Sequence, residues 1–180
     1  MNYIILDLEA TCWQGNIMDR NQEIIELAAY RVNGYRDWLD HFQSYVRPVE
    51  HPRLSAYCTD LTGITQDQVS KARSFEQVFH QFEDWFLRED GPHLICTWGS
   101  KDLQLIMDEC IRHDVDAGFL PGWINLKSQY AHIHGFRKEP GLLKALEQSE
   151  ILFEGSPHSA LDDAFNTTKL FLRFMDRWQY

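Results

Sequence analysis

Glycine-rich phosphate loops, paired-cysteine motifs, long apolar runs and an excess of basic residues are all missing from this sequence, and each absence excludes something. Without a glycine-rich loop the chain has no standard cradle for a nucleotide phosphate, and without a CxxC motif it has no thiol redox pair. Its four cysteines, Cys12, Cys58, Cys96 and Cys110, are scattered and lack an accompanying histidine pattern. They read as reduced thiols packed as small apolar groups, which argues against a structural zinc site and for a reducing compartment. No stretch approaches the length of a membrane span. The apolar start is short, carries acids and lacks a basic leader, unlike a signal peptide, so a soluble, intracellular and cytoplasmic protein is expected. Linkers, repeats and low-complexity tracts are also lacking, and residues 1–180 read as one domain. The composition, 44% hydrophobic and 13% aromatic, suffices for a real core.

The charge balance is unusual for a nucleic-acid protein. With 27 acids against 17 bases the formal charge is −10, whereas binding driven by counterion release favours a basic excess. Either the partner is not a polyanion, or bound cations and a local basic patch reverse the field where it matters.

What the sequence does hold is a set of acids in apolar surroundings. Asp7 and Glu9, followed by Thr11, interrupt an apolar run that includes Ile4, Ile5, Leu6 and Leu8. Such a run is most simply a buried strand, where ionised carboxylates need a positive partner. Side chains two apart share one face of a strand, so Asp7 and Glu9 point into the same space. A divalent cation would satisfy both; arginine or lysine partners, or an exposed strand end, are the alternatives.

Strands are predicted at residues 2–8, 23–32 and 38–46, the last two joined as a hairpin through Asn33-Gly34. Small helical pieces are expected within 52–70. Phe75, Val78, Phe79, Phe82 and Phe86 recur at helical spacing, which predicts an amphipathic helix over about 74–88. Asp90-Gly91-Pro92 breaks it before a short strand at 93–98, and a helix capped by Ser100 follows. A short strand at 123–126, helical segments near 126–134 and 140–148, and a closing helix over about 159–178 complete the pattern. The economical architecture is an α/β fold with a mixed sheet.

On the helix after Ser100, the exposed stripe is read as Lys101, Gln104, Asp108 and Arg112. Asp102 lies off that stripe, just past the end of a strand, where α/β folds place ligands; capping the helix is its other reading. In the last helix, Asp162 aligns with Asn166, Lys169 and Arg173 and reads as a surface acid, whereas Asp163 aligns with Leu170 and Phe174 on an apolar line. Ser159 is placed as the cap, with Asp162 completing a Ser-x-x-Asp pattern. His158, if helical, would project about 140° from Asp163, so the two converge only if His158 sits on the incoming loop, as Pro157 suggests. There it could reach a reacting water or serve as plain surface.

Asp7, Glu9, Asp102 and Asp163, with His158 five positions before the last, form a set that resembles the DEDDh 3′-to-5′ exonuclease superfamily. Glu23-Ile-Ile-Glu26, residues 54–69 and the run from Gly155 through Pro157, His158, Leu161 and Asp163 resemble its Eri1-like exoribonuclease branch. The resemblance implies a ribonuclease H-like fold, a mixed five-stranded sheet flanked by helices. It also implies two divalent cations, Mg²⁺ or Mn²⁺, held by Asp7, Glu9, Asp102 and Asp163, with a neutral His158 taking the proton of the attacking water. Two such ions would offset four charges of the −10 excess. The substrate implied is the 3′ end of single-stranded RNA, released as nucleoside 5′-monophosphates, with single-stranded DNA a further candidate. Tyr57 is placed to stack on the terminal base or else lies in the core. Thr11, Gly63, Ile64 and Thr65 are candidates for holding the terminal sugar, and residues 142–146 for wedging against the next base. Lys101 stands where relatives tend to carry a tryptophan, which suggests a phosphate or ribose contact instead. Lys127, Arg137, Lys138 and Lys144 are candidate phosphate contacts. Competing readings are a DNA-directed proofreading or repair exonuclease and a 3′-end binding module without turnover.

Overall fold

The computed structural model describes residues 1–15 and 21–180. Among them, five strands form one mixed sheet: β1 (Asn2–Ala10), β2 (Ile24–Asn33), β3 (Trp38–Tyr45), β4 (His93–Thr97) and β5 (Trp123–Asn125). Their order is β3-β2-β1-β4-β5. β1 to β3 pair antiparallel, and β4 and β5 run parallel to β1. The helices are α1 (Ala56–Thr62), α2 (Gln66–Lys71), α3 (Phe75–Phe86), α4 (Lys101–His113), α5 (Leu126–His134), α6 (Leu142–Gln148) and α7 (Ala160–Arg173).

Alternation along β1 splits the core in two. Ile4, Leu6 and Leu8 pack with the apolar stripe of α3 and with Ile106 and Cys110 of α4. Tyr3 and Ile5 face the other way, onto Tyr130, Leu146, Leu170 and Phe171 of α5, α6 and α7. Asp7 and Glu9 continue that second face by the period of two. The parallel pairing of β1 with β4 stops at Ile5 and Cys96. β1 runs on beyond it to Ala10, and the carboxyl ends of such parallel strands are where open α/β sheets take ligands.

Local signals account for most boundaries. Ser74 and Gln77 form a reciprocal capping box at the start of α3, as Thr65 and Gln68 do for α2. Ser159 accepts a hydrogen bond from the Asp162 amide, as its spacing predicts. Three expectations need correction. Ser100 makes no side-chain cap, and Asp102 brings a carboxylate to the first turn instead, where the helix dipole favours negative charge. The closing helix stops at Arg173, and a 3₁₀ turn, Met175–Arg177, carries the chain onward with the Trp178 indole donating to the Phe171 carbonyl. Arg112 is not on a solvated stripe, because its side chain is mostly buried between Glu109 and Glu50. All four cysteines are free. Among the described residues, no helix is long and apolar enough to cross a membrane.

Arg31 ties the first core layer together. It is fully buried on β2, pairs with Asp40 of β3 at 3.0 Å, and donates to the Trp85 and Phe86 carbonyls at the end of α3. Its guanidinium also lies 4.4 Å from the Trp85 ring centroid. A cation suits the carbonyl end of a helix, and five donors suit several acceptors at once. Arg31→Met is therefore expected to destabilise the fold by about 3 kcal/mol, since it leaves a carboxylate and two carbonyls short of their donor. Urea unfolding checks this, and a change below about 1 kcal/mol would contradict the role.

Candidate active site

Three elements bring the predicted acids together at the carboxyl end of β1. The strand supplies Asp7 and Glu9, the start of α4 supplies Asp102, and the first turn of α7 supplies Asp163. Asp102 comes from α4, whose Ile106 and Cys110 pack on the opposite face of the sheet, and the Leu8 amide near it favours its charged form. Ligand atoms of Glu9, His158 and Asp163 all lie within 4.8 Å of one another, close enough to share one metal ion.

The electrostatics show how uncomfortable this gathering is without a cation. Burial, then Asp102, Asp163, Glu9 and Glu26, push the Asp7 pKa well above the carboxylate range. Glu9 is pushed up to about 8 by burial and by Asp163, Glu26 and Asp102. Asp102 rises to about 6 through burial, opposed by its own amide, the Leu8 amide and the Lys101 charge. Asp163 also rises to about 6 through burial, opposed by the His158 amide and imidazole. Among the described residues, no ion pair involves any of these four acids. Pairing with arginine or lysine thus does not account for Asp7 and Glu9. Four carboxylate groups facing one another are the hard oxygen donors that divalent cations of the Mg²⁺ and Mn²⁺ type accept.

The loop before α7 is built by α7 itself. The Asp162 carboxylate accepts the Ser156 amide at 2.8 Å, Asn166 exchanges hydrogen bonds with the Glu154 amide and carbonyl, and Lys169 donates to the Leu152 carbonyl. The stripe Asp162, Asn166, Lys169, read from sequence as solvated, is therefore the face that holds residues 152–156. Asn166 is fully buried beneath them. Gly155, at φ +91°, passes so close to Asp162 that a Cβ would overlap the carboxyl group. The loop delivers His158 in the left-handed region, φ 66°, with its backbone amide donating to the Asp163 carboxylate at 3.0 Å. The backbone that carries the exposed imidazole is thereby fixed to the acid beside it.

The remaining sequence candidates sit in varied surroundings. Thr11 is buried, and its hydroxyl accepts the Glu23 amide at 2.9 Å, fastening the end of β1 to β2. α1 is docked on the chain leaving β1 through Ser55 Oγ to the Cys12 carbonyl and Cys58 Sγ to the Ala10 carbonyl. Its Tyr57 is 42% exposed, not part of the core. Gly63 ends α1 in the left-handed conformation at φ 71°, Ile64 is buried, and Thr65 caps α2. Lys101 is exposed and lines an open cleft of about 480 Å³ with Asn21, Gln22 and Gln104. Of residues 142–146, Leu143 is exposed while Ala145 and Leu146 are buried in α6. Glu26, part of the Glu23–Glu26 motif and given no role from sequence, is a fifth acid facing this site, opposite Glu9 in the β1–β2 register.

A family model described as Exonuclease matches residues 4–171. The chain belongs to the exonuclease family. As a member it is 34% identical over 182 residues to the 3′-5′ exoribonuclease 1 of Mus musculus, covering 95% of this chain and 52% of that protein. It is 38% identical over 193 residues to the ERI1 exoribonuclease 2 of Danio rerio, covering 96% of this chain and 34% of the relative. The chain thus spans about half the length of the first relative and a third of the second. Among solved structures, the nuclease domain of 3′hExo, a DEDDh family member bound to rAMP, superposes with a TM-score of 0.90 at 34% identity, covering 97% of this chain and 92% of that one. Exonuclease I of E. coli in complex with a dA16 oligonucleotide superposes at 0.73 with 16% identity, covering 98% and 41%, and shares the fold alone. The sheet and its helices are the ribonuclease H-like fold of the DEDDh exonucleases.

The raised carboxyl pKa values make a prediction for stability. Without metal, folded Glu9 keeps its proton up to about pH 8 whereas the unfolded residue releases it near 4.5; Asp102 and Asp163 do the same between 3.8 and about 6. The folded state binds more protons across these windows, so stability should fall as pH rises from about 4 to 8. In chelator the melting temperature is expected to decline over that range, and Mg²⁺ or Mn²⁺ should raise it more at pH 8 than at pH 5. A metal-free melting temperature that climbs with pH would contradict this electrostatic account.

Proposed function

We propose that residues 1–180 act as one exonuclease domain that removes nucleotides from the 3′ ends of single-stranded RNA, and to a lesser extent DNA, releasing nucleoside 5′-monophosphates. The observation that carries this reading is the convergence of four carboxylates, none in an ion pair among the described residues, with His158 beside them. Asp7, Glu9, Asp102 and Asp163 would hold two divalent cations, Mg²⁺ or Mn²⁺. Bound there, such ions would position the scissile phosphate, acidify the attacking water and offset charge on the leaving oxygen.

The chain's own residues supply the rest. His158 accepts the proton of the attacking water as general base, and its backbone amide, donating to the Asp163 carboxylate, keeps the residue beside the acids. Tyr57 offers its exposed ring to the terminal base, a contact of about 1–3 kcal/mol that does not depend on sequence. Thr11, Gly63, Ile64 and Thr65 shape the sugar side through the backbone between β1, α1 and α2, and Lys101 meets a phosphate. With a formal charge of −10 the protein grips polyanions chiefly at this site, so distributive rather than processive digestion is expected. A solved structure of 3′-end specific recognition of histone mRNA stem-loop by 3′-exonuclease, 33% identical to this chain, supports an RNA 3′ end as substrate. The free cysteines suit the cytoplasm.

The test is digestion of matched single-stranded RNA and DNA labelled at the 5′ end, with Mg²⁺, Mn²⁺ or chelator. A ladder shortening from the 3′ side of the RNA is expected, absent in chelator and in Asp7→Ala. His158→Ala should lower the rate by about 10²–10⁴-fold. Faster loss of DNA would favour the proofreading or repair reading, 3′-end binding without hydrolysis a non-catalytic module, and first cuts in mid-strand an endonuclease.

A further inference from the structure

Glu26 lies directly opposite Glu9 in the β1–β2 register, and paired residues of antiparallel strands project from the same face. It is 1% exposed, and among the described residues no cation pairs with it. Its two carboxylate oxygens have different partners. Oε1 accepts from Gln43 Nε2 at 2.6 Å, and Oε2 accepts the backbone amide of Ala160 at 3.0 Å. Ala160 is the first residue of α7, two after His158 and three before Asp163.

A buried acid so placed acts on the site in two ways. It satisfies a free amide at the helix N-terminus and sits where the helix dipole favours negative charge, so it pins the start of α7 to β2. Because Glu9 belongs to β1, paired with β2, that pin sets the distance between Glu9 and the Asp163–His158 unit. Its charge also adds to the negative field at Glu9 and Asp163 while both its oxygens are already engaged. With its oxygens taken up by Gln43 and the Ala160 amide, Glu26 adds charge beside Glu9 without offering itself as a ligand.

We infer that Glu26 is a positioning residue: it fixes α7 so that Asp163 and His158 meet Glu9, and its charge tightens divalent-cation binding without contacting the ion. This rests on the metal-dependent reading above. Two variants separate the contributions. In Glu26→Gln the side-chain oxygen can still accept the Ala160 amide, and a flipped Gln43 amide can accept from the new NH₂ group, so geometry is kept and charge is lost. Glu26→Ala removes both.

The experiment measures Mn²⁺ binding by titration calorimetry in the absence of substrate, and kcat and KM on single-stranded RNA over a series of metal concentrations. E26Q is expected to bind Mn²⁺ about ten-fold more weakly, with kcat restored at saturating metal. E26A should show the weaker binding and also a kcat lowered about ten-fold or more at saturating metal, with KM for RNA little changed. Mn²⁺ affinity of E26Q equal to that of the unaltered protein, or a saturated kcat of E26A equal to it, would overturn the inference. If E26A does not fold, the Mn²⁺ affinity of E26Q decides alone. An unaltered protein that neither binds Mn²⁺ nor degrades RNA would instead refute the parent reading, and the inference with it.

Discussion

Burial of carboxylates beside one another is the constraint around which this protein is arranged. Asp7, Glu9, Asp102 and Asp163 are gathered at the end of β1, where burial disfavours each ionised form and the charge of neighbouring acids adds to the cost. Such a cluster persists only where surrounding structure over-determines it. Here the apolar residues of β1 and the stripes of α3, α4 and α7 supply that rigidity, through two cores that grip opposite faces of the same strand. A site held open against its own charge is preorganised for cations, because little reorganisation remains when they arrive.

The same logic governs the loop before α7. A polar loop beside an acidic site would ordinarily be mobile, yet residues 152–158 are stitched to successive turns of the helix that follows them. Asp163 stands in both systems: one of its oxygens holds the His158 backbone while the group faces Glu9. Through Glu26, the position of this unit is referred back to β2. A short chain of hydrogen bonds thus links strand, helix and loop, so the histidine and the acids keep one geometry.

Much of this could be read from residue pattern. The alternation around Asp7 and Glu9 put them on one strand face, and helical phase separated Asp163 from Asp162. Phe75 to Phe86 declared a buried stripe, and the Ser-x-x-Asp spacing marked the start of α7. Other assignments misled because they treated a helix as though its polar side met only water. Asn166, Lys169 and Arg112 look like surface residues by phase, yet the loop of residues 152–156 covers the first two and Glu109 and Glu50 enclose the third. Arg31 gives no warning of its burial, since beside Asp40 its partners are carbonyls at the end of a helix more than fifty positions away. The sequence supplied Glu26 only as part of a motif; its role depends on the amide of Ala160.

By itself, then, the amino-acid order determined the elements and the identity of the acids, because strand and helix periodicities are local and an acid among apolar neighbours is visible at short range. Tertiary structure alone decided which polar groups became partners. Hydrogen bonds between backbone and side chain, such as those of Glu26, Asp162 and Asn166, depend on which free amides and carbonyls the folded chain brings near, and sequence spacing carries no record of that proximity.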